Sequence, residues 1–145
     1  MKIVVGIDEG PTSQRALKRA CAITDQMSAE MHVVFVSHVP ATVLAAMSGL
    51  PTIGDDFAAA QRTAVWEEAS RVLDGCNQPT TRVDLEGYPP DVIVEYAQEI
   101  GADLIVVGSR GRGDLASLVL GSTSHRVVNH APCDVLVVRG HNEEE

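Results

Sequence analysis

Residues 103–108 (DLIVVG) are apolar at almost every position, whereas a strand with one face in water would alternate apolar and polar residues. Such a run needs cover on both faces, which a parallel sheet gains from the helices of its own crossovers. Four other short stretches read as strands: residues 2–7 (KIVVGI), 31–39 (MHVVFVSHV), 80–86 (TTRVDLE, weakly alternating) and 134–138 (DVLVV). Helical patterns separate them. Ala16, Leu17, Ala20, Ile23 and Met27 recur at three- or four-residue steps after Pro11-Thr12-Ser13, which supplies a turn and an N-cap. Phe57, Val65, Ala69, Val72 and Leu73 mark a second helix that stops near Gly75. Val92, Ile93, Tyr96, Ala97 and Ile100 mark a third, which follows Gly87-Tyr88-Pro89-Pro90 and is stopped by Gly101. A fourth follows a glycine-rich loop that runs through Gly113, is interrupted or restarted at Gly121, and ends near His130. Residues 40–56, broken by Gly49, Pro51 and Gly54, read as a long loop or lid.

The alternation β-α-β-α-β-α-β-α-β with right-handed crossovers predicts an α/β fold, a doubly wound three-layer sandwich on a five-stranded parallel sheet. One domain over residues 1–140 and an acidic tail over 141–145 account for the length. Aromatic residues are only 3% of the chain, so Val, Ile, Leu and Ala must build the interior. The formal charge of −9 disfavours nucleic acid and anionic membranes as partners. The amino end has no signal-peptide pattern and no stretch approaches a membrane span, so a cytoplasmic protein is expected. Cys21, Cys76 and Cys133 are few and widely spaced, which suggests buried, reduced thiols, and neither they nor the five histidines have metal-ligand spacing.

Gly108-Ser109-Arg110-Gly111, nine residues, and then Gly121-Ser122-Thr123-Ser124 carry the chemistry. Glycines after a strand let main-chain N–H groups approach an anion, and the helix start after Gly121 adds free amides and a positive dipole end. Phosphate fits such a device. Ser122, Thr123 and Ser124 can donate to phosphate oxygens, while Arg110, Arg112 and Arg126 supply cations. Asp8, at the end of the first strand, shares a rim with these turns and can accept from a ribose or base edge. The plainer alternative is that the glycines are turns and the hydroxyls cap a helix. Gly111-Arg112-Gly113-Asp114-Leu115-Ala116 has a dinucleotide-like spacing, but it follows the fourth strand and lacks the later acidic residue. A Walker loop is excluded because Lys2 and Lys18 are the only lysines.

The spacing Gly108-x2-Gly111-x9-Gly121-Ser122 resembles the ATP-binding signature of the universal stress protein family. The resemblance spans nearly the whole chain: the first strand into Asp8, Ser13 at the helix start, Gly87-x-Pro89, residues 103–108, and His130-Ala131-Pro132-Cys133. It implies a flavodoxin-like sheet of the adenine nucleotide alpha hydrolase type, with strand order 3-2-1-4-5, and a homodimer through the last strand, Val135 to Val138. It also implies that ATP, with or without Mg²⁺, lies between strands one and four. Asp8, Val39 and the backbone around Gly6, Ile7 and Val107 would meet ribose or adenine. Gly108, Arg110, Gly111, Gly121, Ser122, Thr123 and Ser124 would meet the phosphates. Glu9-Gly10 departs from the Gly-Ser frequent in the family, as does Asp134 from a frequent Pro. The resulting expectation is a nucleotide-dependent regulatory module read by a protein partner. Its rivals are a slow ATPase or self-phosphorylating protein using Ser122, Thr123 or Ser124, and a structural dimer with an empty pocket.

Overall fold

The computed structural model describes residues 1–10, 12–38, 46, 51–109 and 120–140, with the backbone alone for residues 51–55. Its elements are β1 (Lys2–Ile7), α1 (Ser13–Met27), β2 (Glu30–Ser37), α2 (Pro51–Leu73), β3 (Thr80–Glu86), α3 (Pro89–Ile100), β4 (Leu104–Gly108), α4 (Ser122–His130) and β5 (Asp134–Val138). The strands form one sheet, parallel at every pairing as the alternation of elements predicts, in the order β3-β2-β1-β4-β5 that the family resemblance implies.

Side chains alternate across the sheet to make two cores. Ile3, Val5, Ile7, Met31, Val33, Phe35, Val106 and Val138 face α1 and α2, where they meet Ala16, Leu17, Ala20, Val65, Ala69 and Leu73. Val4, Val34, Val36, Ile105 and Val107 face α3 and α4, against Ile93, Ala97 and Val127. Central strands are therefore apolar at both parities, which is why residues 103–108 show no alternation. On β3, Val83 and Leu85 pack on the second core, while Arg82 and Asp84 are exposed. That one-sided burial at a sheet edge explains its weak alternation.

Helix ends follow local chemistry. Pro89 and Pro90 occupy the first turn of α3, and Gly101 takes the left-handed conformation (φ 68°) that ends it. Thr12 occupies the N-cap position of α1 but makes no side-chain capping bond. The Ser13 hydroxyl instead accepts the N–H of Asp8 at 2.9 Å, tying the helix start to the end of β1.

Two expectations are corrected. Residues 51–56, assigned to a loop or lid, are the first turns of α2. Pro51 is well suited to an opening helical position, and one glycine at 54 costs a helix only about 1 kcal/mol. The remainder of that stretch, apart from Ala46, lies outside the described residues, as does the tail at 141–145. Secondly, Cys21 and Cys76, expected as separate thiols, form a disulfide with their Cα atoms 5.7 Å apart, leaving Cys133 free. They are 55 residues apart in sequence, but α1 and the turn after α2 share one face of the sheet. Spacing along the chain carries no trace of that proximity.

Candidate functional site

The carboxyl ends of β1 and β4 lie side by side at the point where the chain's progression across the sheet reverses, the usual ligand position in such sheets. A cleft opens there. It is lined by Gly6, Ile7, Asp8, Thr12, Ser13, Val36, Pro89, Ile93, Val107, Gly108 and Thr123. Ile7, Val36, Pro89, Ile93 and Val107 make an apolar part, and Asp8, Thr12, Ser13 and Thr123 a polar part. Ile93 reaches into the wall: a Cβ on Gly6 would lie 2.9 Å from its Cδ1, so a side chain at residue 6 would displace the tip of Ile93.

Asp8 is fixed on the rim. Its Oδ1 accepts the N–H of Gly10 at 2.6 Å, and its own N–H donates to Ser13 Oγ at 2.9 Å. On the other side of the cleft, the N–H of Gly121 donates to the Ser109 carbonyl at 2.6 Å, and that of Ser109 to the Val138 carbonyl at 2.8 Å. Gly121 and Gly108, widely separated in sequence, are thereby held together where α4 begins. Gly121 adopts φ −68°, open to any residue, so a left-handed backbone is not why glycine stands there.

Of the residues singled out from sequence, Gly6, Ile7, Asp8, Val107, Gly108 and Thr123 line the cleft together. Ser122 is exposed at the start of α4. Ser124 does not line the cleft: the residue is 1% exposed, and its hydroxyl donates to the carbonyls of Ser109 (3.1 Å) and Gly121 (3.0 Å). It braces the turn. Arg126, read as a cation for phosphate, is instead engaged by Asp91, with Nε–Oδ1 at 2.6 Å and a second guanidinium nitrogen 3.4 Å from Oδ2. That hydrogen bond, with the Asp91 charge, raises the Arg126 pKa further. Val39, Arg110, Gly111 and Arg112 lie outside the described residues.

Sequence reasoning did not assign Thr12, Ser13, Val36, Pro89 and Ile93 to the site. The available signals were the helix start for Thr12 and Ser13, the end of the second apolar run for Val36, and the Gly87-x-Pro89 turn for Pro89 and Ile93. Among the described residues no group of His, Cys, Asp or Glu could hold a metal ion, and no helix is long and apolar enough to cross a membrane. His32 sits near the amino end of β2, away from the cleft, with Nδ1 2.7 Å from the Tyr96 hydroxyl and Nε2 2.8 Å from Glu30.

Five parallel strands in this order, with a half-apolar, half-polar cleft at their carboxyl rim, define a flavodoxin-like α/β protein with a cleft at its switch point. Residues 1–139 match the model of the universal stress protein family. Universal stress protein YxiE of Bacillus subtilis is 30% identical over 145 aligned residues, covering 95% of this chain and 98% of its own. The solved structure of UspA from Lactobacillus plantarum is similar with a TM-score of 0.80 at 27% identity, over 96% of this chain and 97% of that one. A universal stress protein solved in complex with cAMP is similar with a TM-score of 0.71 at 29% identity, over 95% and 96%. The chain belongs to the universal stress protein family.

Proposed function

We propose that this chain is a cytoplasmic, nucleotide-dependent regulatory protein that binds an adenine nucleotide, ATP with or without Mg²⁺, in the cleft between β1 and β4. The carrying observation is the pairing of an apolar wall (Val36, Pro89, Ile93) with a polar wall (Asp8, Thr12, Ser13, Thr123) in one cleft beside a helix start. The base belongs against the first, and the ribose and phosphates along the second and the α4 amides. A relative at 29% identity was solved with cAMP, an adenine nucleotide. Val39 meets the base side in this reading, while Arg110, Gly111, Gly121 and Ser122 meet the phosphates.

The protein acts as a homodimer through β5, whose outer edge is unpaired among the described residues and whose Val135, Leu136 and Val137 are half-buried. Nucleotide acts as a signal by binding one arrangement of the loops around the cleft more tightly than another, and a partner protein reads that arrangement. The test is calorimetric titration of purified protein with ATP, AMP and cAMP, with mass spectrometry of any ligand released on denaturation. Binding that disappears in Gly121→Val is expected. Absence of both heat and co-purified nucleotide would sink the reading and leave a dimer with an empty cleft.

A further inference from the structure

Among the described residues Tyr88 is one of few large apolar side chains left in solvent, 46% exposed, in a chain with only five Phe, Trp and Tyr residues. Its surroundings fix it. The N–H of Gly87 donates to the Ser37 carbonyl at 3.1 Å, so the turn before α3 is pinned to the end of β2. The His38 ring stands edge-on to the Tyr88 ring, centroids 5.9 Å apart and planes at 64°. The Arg126 guanidinium lies over the same ring, 5.6 Å from its centroid, and is itself held by Asp91 on the first turn of α3. The ring thus touches a cation and an imidazole with much of its surface still in water.

The position of this cluster follows from the cleft. Tyr88 directly precedes Pro89, His38 follows Val36 by two residues, and Arg126 follows Thr123 by one helical turn; Pro89, Val36 and Thr123 all line the cleft. Two members thus neighbour, in sequence, residues of the apolar wall, where the nucleotide reading puts the base, and the third neighbours Thr123 of the polar wall. With Arg126 compensated by Asp91, the group offers a flat, polarisable surface and little net charge. That chemistry suits a planar base, not a phosphate.

We propose that Tyr88 is a base-contacting residue: its ring, oriented by Arg126 and His38, packs on the planar base of the ligand at the mouth of the cleft. The inference rests on the nucleotide reading above. Because the ring is held before the ligand arrives, little side-chain freedom is lost on binding, and aromatic stacking tolerates any base with a π-face.

The test compares wild type, Tyr88→Phe and Tyr88→Ala by calorimetry, with ATP and with inorganic tripolyphosphate as its base-free counterpart. Tyr88→Ala should weaken ATP by roughly tenfold, within what one base–aromatic stack contributes, leave tripolyphosphate unchanged, and be rescued by Tyr88→Phe. Equal ATP affinity in wild type and Tyr88→Ala overturns the assignment while the cleft reading stands. So does an equal loss for both ligands, or a loss in Tyr88→Phe as large as in Tyr88→Ala. Wild type that binds no ATP overturns the nucleotide reading and this inference with it. Should Tyr88→Ala fail to fold, nuclear Overhauser contacts between the Tyr88 ring protons and the base protons of ATP on wild type decide the matter, and their absence at saturation overturns the proposal.

Discussion

Gly108, the last residue of β4, lies directly beneath Thr12, the residue before α1. A Cβ built on Gly108 would stand 2.9 Å from the Thr12 Cβ and 3.2 Å from its carbonyl carbon, and closer still to its hydroxyl oxygen. Thr12 is 3% exposed, and its Cγ2 would also lie 3.0 Å from a Cβ on Gly140. The start of α1 therefore docks on the ends of β4 and β5 through a side chain that requires bare backbone opposite it.

Gly108→Ala should accordingly destabilise the fold by about 1–3 kcal/mol, the usual cost of overpacking. Thr12→Gly removes the whole opposing side chain at a position where glycine is tolerated, so it should recover most of that loss in the double variant. Urea denaturation of the four members of the cycle checks this. Additive losses would show that the contact is not what makes residue 108 a glycine.

Ser124→Ala should cost about 1 kcal/mol, because its buried hydroxyl is what donates to the Ser109 and Gly121 carbonyls. Ser122→Ala, at an exposed position, should stay within about 0.5 kcal/mol. If the two stabilities, read by thermal melts, came out in the opposite order, Ser124 would not be the brace described above.

The Cys21–Cys76 disulfide closes a loop with a sequence separation of 55 residues, for which chain entropy alone predicts about 4 kcal/mol, with typical measured gains of about 2–4 kcal/mol. Reductant should lower stability by that order and leave Cys76→Ser unaffected. Asp25 still holds the same turn after reduction, accepting from the backbone N–H of Asn77 (3.0 Å), its side-chain amide (3.2 Å) and the backbone N–H of Gln78 (3.2 Å), so local rather than global opening is expected. Thiol counting in denaturant should find one reactive cysteine before reduction and three after. In the native state Cys133 should react slowly with iodoacetamide near neutral pH, because burial, and then the Asp134 charge, raises its pKa and keeps it protonated. Three reactive thiols before reduction would exclude the disulfide.

Val137→Pro tests the dimer selectively. The Val138 carbonyl accepts from Ser109 on the β4 side, so alternation turns the N–H and C=O of Val137 toward the open edge of β5. A proline there removes a donor the monomer's own sheet does not use. Light scattering should show a monomer with an unchanged circular dichroism spectrum; an intact dimer would place the interface elsewhere.

What could be read from the amino-acid order was whatever depends on short-range periodicity. Residues 103–108 demanded cover on both faces, the crossovers followed, and the two glycine-bearing segments had to come to the carboxyl rim with Asp8. Pairings between distant elements were decided by tertiary structure alone. Arg126 and Ser124 share the polar helix start with Ser122 and Thr123, and only the packing of α4 beside α3 and the 109 turn gives one to Asp91 and the other to two carbonyls. The same holds for Cys21 with Cys76, and for Val36, Pro89 and Ile93 as one apolar wall. A residue's period is set by its neighbours in sequence, but its partner is set by where the sheet puts another element, and the local pattern does not encode that distance.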